Sequence, residues 1–182
     1  ENMPVVVRNR ETTERRRRRL DDAGVTEGLS ITQRKPPWMK AHIDLNDGYR
    51  RLRSTLHPMN LATVCEEAGC PNIYECWGEG TATFMINGKR CTRACGFCLV
   101  DTRKPEPRDH DEPRRVAEAV ITMGLSHVVI TAVARDDLDD GGALGFIETV
   151  SAVRSRVPDA TIETLIPDFA GQKRPLNALL GE

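Results

Sequence analysis

The sequence predicts an α/β protein whose strands run parallel and are joined by right-handed helical crossovers, as in a barrel. Three observations carry this. Strand and helix patterns alternate from residue 81 onward. Val128–Val133 is a near-continuous apolar run, the pattern of a strand covered on both faces. The two intervening helical segments each carry one apolar stripe.

Taken in order, residues 1–40 read as an arm. The run Arg15–Arg19 sits among Glu11, Glu14, Asp21 and Asp22, and such mixed charge belongs to a solvated helix or a disordered tail. Lys35-Pro36-Pro37-Trp38-Met39 is stiff and extended, because each proline restricts the residue before it; Trp38 could anchor it. Residues 41–80 hold the first cysteine group. A helix is predicted over about 46–57, capped by Asn46 or Asp47, with Tyr49, Leu52 and Leu56 on one face. A short helix follows around 72–77.

Residues 81–182 carry the alternating part. Thr81–Ile86 reads as a strand. Glu112–Met123 reads as a helix with Asp111 as its cap, Pro113 in its first turn and Gly124 at its end; Val116, Ala119, Val120 and Met123 form its stripe. The strand Val128–Val133 leads into a loop, Ala134–Gly142. A helix over 143–156 points Phe146, Ile147, Val150 and Val153 inward, and Thr161–Ile166 is the third strand. Parallel barrels do their chemistry at the carboxyl ends of their strands, so the loops after these strands should share one mouth.

The chain has 182 residues and a net charge of −1, which gives no bias toward nucleic acid. No apolar run approaches the roughly 18 residues of a membrane helix. The N-terminal stretch lacks a signal peptide's apolar segment, so the expected compartment is the cytoplasm, where thiols stay reduced.

All six cysteines fall between residues 65 and 98, as Cys65-x4-Cys70-x5-Cys76 and Cys91-x3-Cys95-x2-Cys98. Thiolates are soft ligands, and three per group suit an iron–sulfur cube with one open corner. A disulfide framework is disfavoured without a secretory signal. A closed zinc site wants four ligands in pairs, and His42, His57, His110 and His127 are not spaced as pairs.

Cys91-Thr-Arg-Ala-Cys95-Gly-Phe-Cys98 resembles the cysteine loop of radical S-adenosylmethionine enzymes, with Phe97 as the usual aromatic before the last cysteine. Cys65-Glu-Glu-Ala-Gly-Cys70-Pro-Asn-Ile-Tyr-Glu-Cys76-Trp77 resembles the auxiliary-cluster signature of the lipoyl synthase family. Thr83-Phe-Met-Ile, Cys98-Leu-Val-Asp101-Thr-Arg103, Arg135-Asp-Asp-Leu-Asp-Asp-Gly-Gly142-Ala and Glu163-Thr-Leu-Ile-Pro-Asp168 extend the likeness from about residue 36 to the end.

The resemblance implies a partial (β/α)6 TIM-like barrel of the radical SAM type with an N-terminal extension. It implies two [4Fe–4S] clusters, one on Cys91, Cys95 and Cys98 and the other on Cys65, Cys70 and Cys76. The open iron of the first would bind S-adenosylmethionine, whose cleavage yields a 5′-deoxyadenosyl radical. The second would donate two sulfurs to carbons 6 and 8 of an octanoyl-lysine. The implied partners are octanoylated lipoyl carrier domains, namely the 2-oxoacid dehydrogenase acyltransferase subunit and the glycine-cleavage carrier protein. An electron donor such as ferredoxin or flavodoxin is also implied, and no nucleic acid or membrane. Unactivated C–H bonds resist acids and bases, so a cofactor must carry this chemistry.

Gly141-Gly142 resembles an element that contacts the amino group of S-adenosylmethionine, although Ala143 replaces its glutamate; the other reading is a turn that feeds a helix. Arg135, Asp136 and Asp137 either line the mouth or form a solvated loop. Arg93 either balances an anionic cluster or faces water. Thr131 points into the barrel or finishes a strand, and Glu163 reaches a cofactor or forms a salt bridge. Glu66, Glu67 and Glu75 are assigned no catalytic role. The family's later strands and a C-terminal serine ligand have no counterpart in this sequence. The expectation is therefore a fragment with about three barrel strands, the third an exposed apolar edge. The rival readings are a biotin-synthase-like enzyme, and an iron–sulfur electron carrier or zinc module.

Overall fold

The computed structural model describes residues 45–181 apart from 80, 82 and 97, together with 14, 17, 18, 21, 22 and 24. The chain divides into two compact units, one of Glu1–Lys40 with Ala94–Leu99 and the other of Ala41–Arg93 with Val100–Glu182. In the first unit Glu14, Arg17, Arg18, Asp21 and Asp22 are helical and exposed, which fits a solvated helix. Arg15, Arg16, Arg19 and the proline strap with Trp38 lie outside the described residues.

The second unit holds a four-stranded sheet of order β1-β2-β3-β4, with β1 Ala62–Thr63, β2 Thr83–Ile86, β3 His127–Ala132 and β4 Thr161–Leu165. β2 pairs parallel with β3, Phe84 opposite Ile130, and β3 pairs parallel with β4, Ile130 opposite Thr164. β1 runs antiparallel to β2. The sequence pattern missed β1, because two residues cannot display a period. β2 starts at Thr83, two residues later than predicted, and β3 is shifted by one. β4 alternates exposed and half-buried residues, and Leu165 is exposed, as expected for an edge.

Helix α1 (Asp47–Leu56) starts at Asn46, whose side-chain oxygen accepts from the Tyr49 N–H at 2.9 Å. It buries Tyr49, Leu52 and Leu56. After β1, the single turn α2 (Val64–Glu67) is capped by Thr63, and α3 (Ile73–Gly78) follows. α1 lies against α3 so closely that a Cβ on Gly48 would stand 2.3 Å from the Gly78 carbonyl oxygen. Helix α4 (Glu112–Met123) has the predicted bounds, and left-handed Gly124 ends it. The expected Asp111 side-chain cap does not form: its carboxylate is taken by Arg114 at 2.7 Å and Arg115 at 3.3 Å. Helix α5 (Ala143–Arg156) buries Phe146, Val150 and Val153, while Ile147 is only half-buried. A short 3-10 turn, Phe169–Gly171, and helix α6 (Lys173–Leu180) close the described chain.

One apolar cluster joins these elements. Leu56, Trp77, Phe84, Val120, Ile130, Phe146 and Val153 meet in it, and so does Cys65. A polar knot sits at the end of β2. Asn87 turns the chain in the left-handed region, at φ 67°. Its N–H donates to the Glu112 carboxylate at 2.7 Å, and its side-chain amide donates to the Gly142 carbonyl at 2.9 Å. A Cβ on Gly145, in the first turn of α5, would fall 2.0 Å from the Asn87 amide oxygen, so a side chain there would displace the Asn87 amide. Burial raises the Glu112 carboxyl pKa, and the Asn87 and Gly88 N–H groups counter it.

Two stability predictions follow from this packing. Gly48→Ala meets backbone rather than a movable side chain, and should cost about 1–3 kcal/mol in urea unfolding. Glu112→Ala strands the Asn87 N–H in the interior and should cost about 1–3 kcal/mol. Glu112→Gln, which keeps an acceptor, should cost less at neutral pH. Because the folded pKa of Glu112 is raised, its charge penalty is absent below the ordinary carboxyl pKa and complete only above the folded value. Since only wild type carries the titrating carboxyl, wild type should gain stability over both variants as pH falls into that range.

Candidate functional site

The parallel pairing sends the chain off β2, β3 and β4 at the same edge of the sheet, and the loops there interlock. Thr92, after β2, donates its N–H to the Ala134 carbonyl at 3.0 Å. Its hydroxyl lies 2.7 Å from the Asp136 carboxylate. Arg93 grips Asp136 with two nitrogens at 2.8 and 2.6 Å, and reaches Asp168, after β4, at 2.7 Å. Arg93 thus faces neither open water nor a lone charge. Hydrogen bonds from Arg93 and Thr92 hold the Asp136 carboxyl down at about 2. Asp168 is lowered as well, first by the Ala170 N–H and then by Arg93.

Asp168 is presented by an unusual turn. Phe169 and Ala170 both sit in the left-handed region, at φ 48° and 53°, where side chains cost roughly 1–2 kcal/mol per residue. Phe169 is buried, and its ring lies 3.1 Å from where a Cβ of Gly141 would stand. Gly141 and Gly142 both have positive φ and lead directly into α5, the turn anticipated as their alternative role. Arg135 is buried, pairs with Asp137 through two nitrogens, each at 2.9 Å, and donates to the Asn87 carbonyl at 2.9 Å and the Glu106 carbonyl at 3.0 Å. It is a structural tie rather than part of a solvated loop. Thr131 donates to the Leu165 carbonyl at 3.0 Å, and Glu163 stands 3.6 Å from His127.

None of the six cysteines is joined in a disulfide. Cys65 is buried in the core cluster, with Cys70 and Cys76 packed against it. The Cys70 N–H donates to the Cys65 carbonyl at 3.0 Å. Burial raises the Cys76 thiol pKa, and the Cys65 and Cys70 thiols add to the rise, so the three lie within electrostatic reach of one another. Tyr49 stacks near Trp77 and Tyr74, with ring centroids 5.2 and 5.4 Å apart. The Trp77 indole N–H, next in sequence to Cys76, is buried without an acceptor.

Cys91 belongs to the larger unit. Its N–H donates to the Asp101 carbonyl at 2.7 Å, closing the neck of the loop, and its sulfur accepts the Arg93 N–H at 3.4 Å. Cys95 and Cys98 belong to the smaller unit, where the Cys98 N–H donates to the Cys95 carbonyl at 3.1 Å. Phe97 lies outside the described residues. Among the described residues no three Cys, His, Asp or Glu side chains close into a metal-sized group. The donor chemistry still fits an iron–sulfur cluster: each triplet offers three soft sulfurs, none spent in a disulfide. No helix among the described residues is long and apolar enough to cross a membrane.

In the sequence Arg93 and Asp136 stand far apart, and nothing local marks Thr92, Asn87 or Glu112 as members of one network. The signal for Thr92 and Arg93 was their place directly after Cys91.

Comparison with known proteins agrees with the cysteine pattern. Residues 5–70 match the family model for the N-terminal domain of lipoyl synthase of the radical SAM family. The lipoyl synthase of Mycobacterium ulcerans is 54% identical over 155 residues, covering 85% of this chain and 48% of that protein. That of Mycobacterium leprae is 54% identical over 140 residues, covering 77% and 45%. That of Kineococcus radiotolerans is 53% identical over 140 residues, covering 77% and 42%. The chain spans about half the length of the curated relatives it matches.

The depressed Asp136 carboxyl gives a pH test. Its stabilising interaction is complete above the ordinary 3.8 and is lost as pH falls through about 2. Carbon-13 NMR of the carboxyl should show titration near the lower value, and Arg93→Gln should move it up toward 3.8. An unmoved titration in that variant would show that Arg93 does not hold it.

Proposed function

Since the chain belongs, over the length it spans, to the lipoyl synthase family, we propose that the protein is a radical S-adenosylmethionine sulfurtransferase. Its reaction is insertion of two sulfur atoms at carbons 6 and 8 of a protein-bound octanoyl-lysine. The observation that carries the reading is the pair of cysteine triplets, none in a disulfide, one at the core cluster with Cys65 buried in it and the other starting at Cys91 after β2.

In this reading Cys91, Cys95 and Cys98 hold one [4Fe–4S] cluster, and Cys65, Cys70 and Cys76 hold the other. When bound, the clusters and S-adenosylmethionine supply the one-electron chemistry and the sulfur that no side chain can provide. The chain's own residues do the rest. Cys70 and Cys76 pack against the core cluster that holds Cys65, Tyr49 and Trp77, apolar surroundings that limit water on that side. The buried Trp77 N–H offers a donor to a group held there. Gly141 and Gly142 open the β3 loop for the amino group of S-adenosylmethionine, and Phe97 is assigned to the same cofactor from its place before Cys98. The proposed partners are octanoylated lipoyl carrier domains and a ferredoxin or flavodoxin as electron donor, in the cytoplasm.

Anaerobic reconstitution of the chain, extended to the relatives' length, tests this. Two four-iron clusters should load, about eight irons per chain, with a visible chromophore. Cys95→Ala should abolish 5′-deoxyadenosine production from S-adenosylmethionine. Cys70→Ala should spare part of that cleavage while stopping conversion of an octanoylated carrier peptide to the lipoyl form. A colourless protein with one or two zinc ions, or lipoyl product from Cys70→Ala, would defeat the assignment.

A further inference from the structure

We infer that Arg93 is a positioning residue that fixes Cys91 for ligation by tying the loop after β2 to the loops after β3 and β4. The inference rests on the proposed role of Cys91 as a cluster ligand. Arg93 acts at two scales. Its backbone N–H lies on the Cys91 sulfur at 3.4 Å, so the thiol follows wherever that peptide is held. Its guanidinium spans two further loops, taking Asp136 through two nitrogens at 2.8 and 2.6 Å and Asp168 at 2.7 Å.

Exposed ion pairs stabilise a fold little, and Asp168 is two-thirds exposed at 67%. Stability is therefore not the reason for this arrangement. A planar fork holding two carboxylates in fixed directions specifies geometry instead. Thr92 reinforces it: its hydroxyl bonds Asp136 and also accepts the Asp136 N–H at 3.1 Å. On the far side, Asp168 Oδ1 accepts the Ala170 N–H at 3.0 Å and so holds the left-handed turn that presents it. A backbone conformation this costly persists only where its surroundings hold it in place. Groups that orient a ligand without touching the metal are worth factors of about 10–100 in metal affinity.

Two measurements decide the matter. In the metal-free chain, Arg93→Gln should speed hydrogen exchange at the Asp136 and Ala170 amides but not at core amides such as Ile130. In the reconstituted chain of the relatives' length, iron should leave to a chelator in two phases, one per cluster. Arg93→Gln and Asp136→Asn should each accelerate one phase about tenfold and leave the other unchanged. Arg93→Lys should fall between, since one ammonium cannot serve both carboxylates. Unchanged amides, equal acceleration of both phases, or a lysine variant no better than glutamine would overturn the role of Arg93 while leaving the cluster assignment intact. Failure of the wild-type chain to load iron at all would remove both.

Discussion

The parallel pairing of β2, β3 and β4 is the constraint on which the rest of the larger unit depends. With Phe84, Ile130 and Thr164 in one row, the three strands finish on a common edge. The carboxyl-end loops have no other place to go, and Asp136 and Asp168 are delivered within reach of the Arg93 guanidinium. Helices α4 and α5 occupy the crossovers and pack against each other and the sheet. An antiparallel arrangement of the same strands would have sent the middle loop to the opposite edge.

Beneath that edge a second polar network does different work. Arg135 is buried, and an unpaired guanidinium there would be strongly destabilising. Asp137 supplies its charge, and the Asn87 and Glu106 carbonyls take its remaining donors. Through Asn87 this network continues to Glu112 at the start of α4 and Gly142 at the start of α5. The base of the edge is thus set by largely buried contacts, in which the Asn87 amide oxygen alone lacks a partner among the described residues, whereas its rim is set by exposed charges. The two layers differ in what they resist: the lower one opposes unfolding, and the upper one opposes sideways movement of the loops.

Much of this was legible in the sequence, for identifiable reasons. Tyr49, Leu52 and Leu56 are spaced on a helical face, and α1 buries all three. Glu112–Met123 carried both its stripe and its closing glycine, and its bounds were read correctly. Cysteine spacing carried the family. What stayed hidden depended on partners distant in sequence. Asp111 reads as a cap locally, but Arg114 and Arg115 compete for its carboxylate. Two-residue β1 has no pattern to read, and exists only because Met85 and Phe84 offer it an edge. Asn87 is an ordinary turn residue until Glu112 and Gly142 arrive from 25 and 55 positions away. Arg93 likewise has two plausible fates in the sequence, and the meeting of three loops gives it a third, the tie between Asp136 and Asp168.

The backbone contact between Gly48 and Gly78 has a consequence for how this region tolerates change. Most core positions drift in pairs, one side chain shrinking as its neighbour grows. Here the facing atom is a carbonyl oxygen, which has no smaller substitute. Compensation would require α1 and α3 to move apart bodily, dragging Tyr49 from Trp77 and opening the wall beside Cys76. Gly48 therefore forms a point where variation in the surrounding sequence can accumulate but the spacing between the helices cannot follow.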